Sequence, residues 1–316
     1  MLAAYAATTD PADPLAALTV GELPAPTPPE GWVTVDVRAA SLNHHDIWSL
    51  RGVGLPADRL PMILGCDAAG VGPDGTEVVV YPVAADPADP RGFSLLSERH
   101  PGTLAEQVSA PAENLVPKPA GMSFAEAACL PTAWLTAYRM LTTRGRIDEA
   151  GSVLVQGAGG GVATAAVVLA VAFGKRVYAT SRDAAKRDRI TALGATALEP
   201  GARLPERVDI VIESVGEPTF DHSMKCAAPG GRIVVCGATG GHLPRVDMRR
   251  VFAMQLEILG SAMGTPFEFA ALLKLCAERD IHPVIDSTYA FPAYADAFAR
   301  LHSGDVFGKV VVEHRG

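Results

Sequence analysis

Residues 152–182 read SVLVQGAGGGVATAAVVLAVAFGKRVYATSR, and the reading of this run decides the fold. Val153 to Val155 form a short apolar run of buried-strand length. Gly157, Gly159, Gly160 and Gly161 make a turn. An almost wholly apolar segment follows from Val162 to Phe173, long enough for a buried helix and stopped by Gly174. Arg176 to Thr180 then reads as a second strand. Strand, glycine turn, helix and strand in that order are the sequence form of a dinucleotide-binding fold. Glycines let the backbone approach a pyrophosphate, and the helix N-terminus offers it unpaired N–H groups and a positive dipole end. The G-x-x-G-x-x-G spacing ends on Ala163, whose methyl still permits close packing of helix on strand. Glycines also make ordinary turns in α/β proteins, so the flanking strand and helix carry the weight of the assignment.

Downstream, the alternation continues. A helix is expected over Asp183 to Leu193, closed by Gly194. Then come a strand over Val208 to Glu213, a helix over Thr219 to Cys226, and strands over Arg232 to Cys236 and Leu256 to Met263. Strands that alternate with helices predict a parallel, doubly wound sheet. Upstream the texture changes. Short runs at Trp32–Val37, Glu77–Tyr81 and Leu104–Val108 are separated by Pro- and Gly-rich turns, the pattern of a small β-barrel-like domain. Ser123, with Glu126 three residues on, reads as the capping box of a helix. A further helix is expected over Thr132 to Thr142. From Pro266 a helix leads back, and Lys309 to Glu313 reads as a last strand rejoining the first domain. The class is α/β. The expected division is residues 1–117, completed by 265–316, against a nucleotide-binding domain over 118–264.

The net charge of −8, with no Lys/Arg-rich run, argues against nucleic acid or an anionic membrane as partner. No segment has the apolar length of a membrane span, and the N-terminus lacks the form of a secretion signal, so a cytoplasmic location is expected. Cys66, Cys129, Cys226, Cys236 and Cys276 are scattered and form no C-x-x-C pair, so they read as reduced, buried thiols.

Several segments together resemble the medium-chain dehydrogenase/reductase superfamily, and its zinc-free quinone oxidoreductase branch in particular. They are SLNHHDIW near Asn43, PMILGCDAAGVG near Cys66, GTLAEQV, LPTAWLTAY, VLVQGAGGGVA, PGGRIVVCGATG and FGKVVVE. The resemblance spans nearly the whole chain. It implies a GroES-like β-barrel catalytic domain and a Rossmann domain, an active site in the cleft between them, and a homodimer, with the strand near Leu256 to Met263 as the candidate seam. Zinc-dependent members ligate their catalytic metal through Cys, His and Cys; the matching positions here are Asn43, Cys66 and Thr132. One thiol does not make such a site, and the cysteine-rich structural lobe is missing, so no metal is expected. His44 and His45, read as neighbours on an extended strand, would face opposite ways. Cys66 reads as packed, with no basic group beside it.

NAD-specific members end the second strand with an acidic residue. Here Ser181 and Arg182 stand there, with Lys186 one turn on, which suits the 2′-phosphate of NADPH. The alternative is a solvated helix start whose charges pair with Asp183 and Asp188. The resemblance also implies cofactor contacts at Gly157, Gly159, Gly160, Gly161, Val162, Val215, Gly237, Ala238 and Thr239. Thr136 would lie under the nicotinamide, and Lys309 near the cofactor or cleft. The reaction it implies is hydride transfer to a quinone or to the C=C bond of an α,β-unsaturated carbonyl. Such acceptors need little Lewis-acid help, because charge spreads into an enolate. Asn43 and Asp46 form the N-x-x-D segment implied to be catalytic. Trp48 stands where many quinone reductases carry a tyrosine, which leaves an indole donor and no phenolic acid. For Asp46 and Trp48 a plain structural role stays open. A zinc-free carbonyl reductase and a non-catalytic NADPH-binding protein are the other readings.

Overall fold

The computed structural model describes residues 1–314. The chain forms two compact units. One comprises Met1–Thr132 with the segment from Phe269 onward, and the other Ala133–Glu268.

The second unit carries six strands: β1 (Ser152–Val155), β2 (Arg176–Thr180), β3 (Thr196–Leu198), β4 (Val208–Glu213), β5 (Ala227–Val235) and β6 (Glu257–Gly260). They pair in the order β3-β2-β1-β4-β5-β6, all parallel. Helices α1 (Gly161–Ala172), α2 (Ala184–Ala192) and α3 (Glu217–Cys226) are the crossovers after β1, β2 and β4. Val153, Leu154, Val155, Ile210 and Val211 are wholly buried. A parallel sheet covered on both faces demands such unbroken apolar strands, which is why 152–182 reads so plainly. Strand order reverses between β1 and β4, where open α/β sheets place their ligand crevice. The Asp183 carboxylate caps α2 by accepting the Lys186 N–H at 2.9 Å, so that helix begins at Ala184.

The first unit is built on the long strand Trp32–Ser41. Its start pairs with Gln107–Pro111. Its end lies between Asp67–Val71 and Lys309–Glu313, with Ser41 opposite both Asp67 and Val311. The returning strand therefore completes the sheet of the first unit, and it sets Lys309 beside the ends of two others. The strand expected at Leu104–Val108 starts later, at Gln107. Residues 102–104 instead donate their amides to Ile63, Gly65 and Leu64 carbonyls at 2.8–3.0 Å. Gly102 permits this approach, since a Cβ there would lie 2.4 Å from the Leu64 and Gly65 carbonyl oxygens.

Two further segments depart from the sequence reading. His44 and His45 lie in the helix His44–Leu50, not on a strand. The Asp46 carboxylate accepts the Asn43 N–H at 2.8 Å and starts a helical turn there. The stretch expected as one helix over Thr132 to Thr142 is regular α only over Leu135–Arg139, with wider π-type turns at Leu130–Trp134 and Met140–Arg144. Pro131, which has no N–H, sits in the first of these. Residues 118–132, assigned by sequence to the nucleotide-binding domain, pack with the first unit. There the Ser41 hydroxyl donates to the Ala128 carbonyl at 2.8 Å, and Ser123 and Glu126 cap the helix Phe124–Ala127 as a reciprocal box. Among the described residues no helix is long and apolar enough to cross a membrane.

Candidate functional site

In the second unit the glycines form a cradle at the end of β1. Gly157 sits at φ 65° and Gly159 at φ 157°, and Gly160 caps α1. Two of these positions differ in their surroundings. A Cβ on Gly157 would meet Val215 Cγ2 at 2.5 Å, because the loop after β4 closes against it. A Cβ on Gly160 would meet nothing within 4 Å. The space over Gly160, at the N-terminus of α1, is open. Gly161 and Val162 form the first turn of that helix. Thr180 holds the loop from β2, its Oγ1 accepting the Gly157 N–H at 3.0 Å and donating to buried Gln156 Oε1 at 2.8 Å.

The loop after β4 has its own brace. Glu213, wholly buried, accepts the Val215 and Gly216 N–H groups at 2.8 and 3.0 Å and the Thr219 and Ser223 hydroxyls at 2.9 and 2.7 Å. Thr239 Oγ1, beyond β5, donates to the Ser214 carbonyl at 3.2 Å. Gly237, Ala238 and Thr239 thus lie beside Val215, all at carboxyl ends of strands. Thr136 is buried in the helix Leu135–Arg139.

At the end of β2, Ser181 is buried and Arg182 exposed. Arg187 stands behind them, its Nη1 donating to the Ser181 and Arg182 carbonyls at 2.9 and 3.0 Å. Asp183 is spent on capping α2. Arg182 and Asp183 are thus both exposed at the end of β2, the Asp183 carboxylate engaged by the Lys186 N–H. Sequence reading missed Arg187, Gln156 and Glu213. For Glu213 a signal existed: an acidic residue closing an apolar strand just before Ser-Val-Gly.

In the first unit, Asn43 and Asp46 come together at the start of the helix His44–Leu50. Asp46, wholly buried, also accepts the Gly65 N–H at 3.2 Å. Trp48 is half-buried on this helix, with the Arg51 guanidinium 5.1 Å from its ring centroid.

Lys309, only 2% exposed, enters the same place from the last strand. Its Nζ donates to the Asn43 Oδ1 at 2.6 Å, the Leu42 carbonyl at 2.8 Å and Asp67 Oδ2 at 3.1 Å. Asp67 Oδ2 also accepts from Asn43 Nδ2 at 2.8 Å, and lies 2.9 Å from Ser41 Oγ, whose one hydrogen is shared between this carboxylate and the Ala128 carbonyl. The Asn43 amide is held at both ends by opposite charges. Asp67 Oδ1 is buried without a hydrogen-bond partner. Removing one member of a buried ion pair leaves an uncompensated charge.

Cys66 has a basic neighbour after all. His45 Nδ1 lies 3.5 Å from its Sγ, and His45 Nε2 lies 3.3 Å from Glu98 Oε1. Arg91 donates to Glu98 Oε2 at 2.9 Å. Burial pushes the Cys66 thiol up, and His45 only partly offsets it. Burial alone would lower the His45 ring, but Cys66 first, and then the carboxylates of Asp46 and Glu98, hold it well above the ordinary histidine value. Sequence reading missed this contact because it placed His45 on a strand; on a helix the side chain turns toward Cys66.

The positions that the resemblance assigns to a catalytic zinc do not suit one here. The Asn43 oxygen already accepts from Lys309 Nζ. Thr132 offers a neutral hydroxyl, and the Cys66 thiol turns toward His45. Zinc wants anionic thiolates, imidazoles or carboxylates.

Residues 29–120 match the alcohol dehydrogenase GroES-like domain, and residues 161–278 match the zinc-binding dehydrogenase family. A solved NAD-dependent alcohol dehydrogenase is similar at 33% identity, covering 99% of each chain with a TM-score of 0.86. Acryloyl-coenzyme A reductase of Sulfurisphaera tokodaii is 29% identical over 92% of this chain and 95% of its own. The 2-octenoyl-CoA carboxylase reductase CinF, solved in complex with NADP and 2-octenoyl-CoA, is 26% identical with a TM-score of 0.90, covering 99% of this chain and 87% of its own. With a GroES-like unit, a Rossmann unit and full-length similarity of this degree, the chain belongs to the medium-chain dehydrogenase/reductase superfamily of oxidoreductases.

Proposed function

We propose that the protein transfers hydride from NADPH to the C=C bond of an α,β-unsaturated carbonyl, with an enoyl thioester favoured over a quinone. The observation that carries this reading is the hydrogen-bonded network of Lys309, Asn43 and Asp67. Where alcohol-oxidising members hold a Lewis acid, the Asn43 amide here is bonded to Lys309 and to Asp67. A saturated ketone would then lack polarisation, whereas a conjugated acceptor delocalises its charge into an enolate. Two relatives support the choice of acceptor: one is named for acryloyl-CoA, and another was solved with NADP and 2-octenoyl-CoA.

A bound nicotinamide nucleotide supplies the hydride. The protein's own groups bind and orient. The amides of Gly160 and Gly161 at the start of α1 take the pyrophosphate, with Gly157, Gly159 and Val162 shaping the loop. Ser181 and Arg182 hold the 2′-phosphate, and Lys186 adds positive charge. Val215, Gly237, Ala238 and Thr239 border the nucleoside portions, and Thr136 lies under the nicotinamide. Lys309 fixes the Asn43 amide, whose second Nδ2 hydrogen remains to meet a substrate oxygen. Asp46 fixes the turn that presents it, and Trp48 offers an apolar wall. Water donates the proton that completes the reduced product. The edge strand β6, with Ile258 exposed and Phe252 nearby, is the seam we assign to a homodimer.

Oxidation of NADPH with a panel of enoyl-CoA, quinone, enone and saturated aldehyde tests this reading. Turnover is expected with the enoyl-CoA and the enone. Turnover confined to the aldehyde, or a preference for NADH, overturns it; tight NADPH binding without turnover points to a non-catalytic protein.

A further inference from the structure

Three distant stretches of the first unit bring four donor atoms into one buried place. His45 Nδ1 lies 3.5 Å from Cys66 Sγ and 3.9 Å from Asp46 Oδ1. The ligand atoms of His45, Asp46 and Cys66 all fall within 4.8 Å of one another. Ser97 Oγ lies 3.6 Å from the same sulfur. A tetrahedral zinc with sulfur at about 2.3 Å and nitrogen or oxygen at about 2.0–2.1 Å sets its ligands about 3.5 Å apart. Two of the measured separations match that edge closely.

The surroundings are those of a built site. Cys66, Asp46 and Ser97 have no exposed surface. Ser97 is held at φ 69°, a left-handed conformation that serine enters rarely, and that conformation goes with the hydroxyl facing Cys66. The far nitrogen of His45 faces the Glu98 carboxylate, itself fixed by Arg91. A carboxylate behind a histidine is how proteins fix the tautomer and orientation of a metal-binding ring.

We propose that His45, Asp46 and Cys66 form a zinc site, closed by the Ser97 hydroxyl, that clips together the helix His44–Leu50, the approach to strand Asp67–Val71 and the loop at 96–98. It shares only Cys66 with the set the superfamily resemblance assigns, Asn43, Cys66 and Thr132. The mixed imidazole, thiolate and carboxylate donors suit zinc over magnesium or calcium. Binding forms a Zn–S bond and releases the thiol proton to solvent. No opening for substrate is needed, so the ion is structural. The site is made of first-unit side chains alone, so it stands or falls apart from nucleotide binding.

The test is metal analysis of the purified full chain, followed by exchange for cobalt. About one zinc per chain is expected, and the cobalt form should show a sulfur-to-cobalt charge-transfer band. Cys66→Ser and His45→Gln should each lose the metal and the band, while Cys129→Ser, at a buried thiol elsewhere, keeps both. A strong chelator should lower the melting temperature of the wild type and leave that of Cys66→Ser unmoved. Wild-type protein that takes up neither zinc nor cobalt overturns the proposal, as does a charge-transfer band that survives in Cys66→Ser. If a variant does not fold, the wild-type cobalt spectrum decides alone.

Discussion

The two units build their polar centres in opposite ways. In the second, the cradle is mostly backbone: glycines and the first turn of α1, contiguous in the chain. In the first, the centre is side chains gathered from Ser41–Asp46, Cys66–Asp67, Ser97–Glu98 and Lys309. A backbone site needs the right local conformation and free space. A side-chain site needs long-range pairing and full satisfaction of buried charge. Substitutions should therefore hurt the two units differently.

The largest effect is expected at Lys309. Lys309→Met leaves Asp67 buried without its cation and should destabilise the protein by about 3–5 kcal/mol in urea unfolding. Adding Asp67→Asn should recover part of that loss. A single variant as stable as wild type would mean that the first unit does not depend on this pair. In the second unit, side-chain bulk is the lever. Gly157→Val combines a positive φ with a clash against Val215. It should cost about 2–3 kcal/mol, seen as a rise of at least about thirtyfold in the NADPH dissociation constant by calorimetry.

A third prediction uses another side-chain pair of the first unit. Burial would raise the Asp286 carboxyl, but Arg300, donating twice at 2.9 Å, and the Phe307 amide at 2.8 Å hold it down at about 2. Because the folded value lies below the unfolded one, its contribution is present above about pH 4 and fades as pH falls toward 2. It amounts to about 2 kcal/mol at most. Asp286→Asn should lower stability at pH 7 and flatten the acid limb between pH 4 and 2. An unchanged limb in chemical denaturation would discard the pair. The smallest effect is Arg182→Ala, which removes a side chain that supports nothing in the fold. It should raise the KM for NADPH about tenfold, worth about 1.4 kcal/mol, and leave the melting temperature and the KM for substrate unchanged. A matched fall in stability would show that Arg182 is structural and blur the contrast between the units.

Much of the second unit was legible in the sequence, though not the edge strand β3, the helix Met248–Ala253 or the π-type turn at Met140–Arg144. β2 and β4 begin and end where the apolar runs do, and the glycine turn lies where its spacing says. The reason is physical: buried parallel strands, glycine turns and caps are local, so each segment announces its own conformation. The sequence also marked Asn43, Asp46 and Lys309 as important, without saying how they meet. Their meeting came from long-range pairing. One capping carboxylate turned 44–50 from strand to helix and swung His45 onto Cys66. The last strand, pairing beside Trp32–Ser41, carried Lys309 against Asn43 and Asp67 from more than two hundred residues away. Contacts at that separation depend on the register of strands, and no local pattern of residues encodes which side chains a register will bring together.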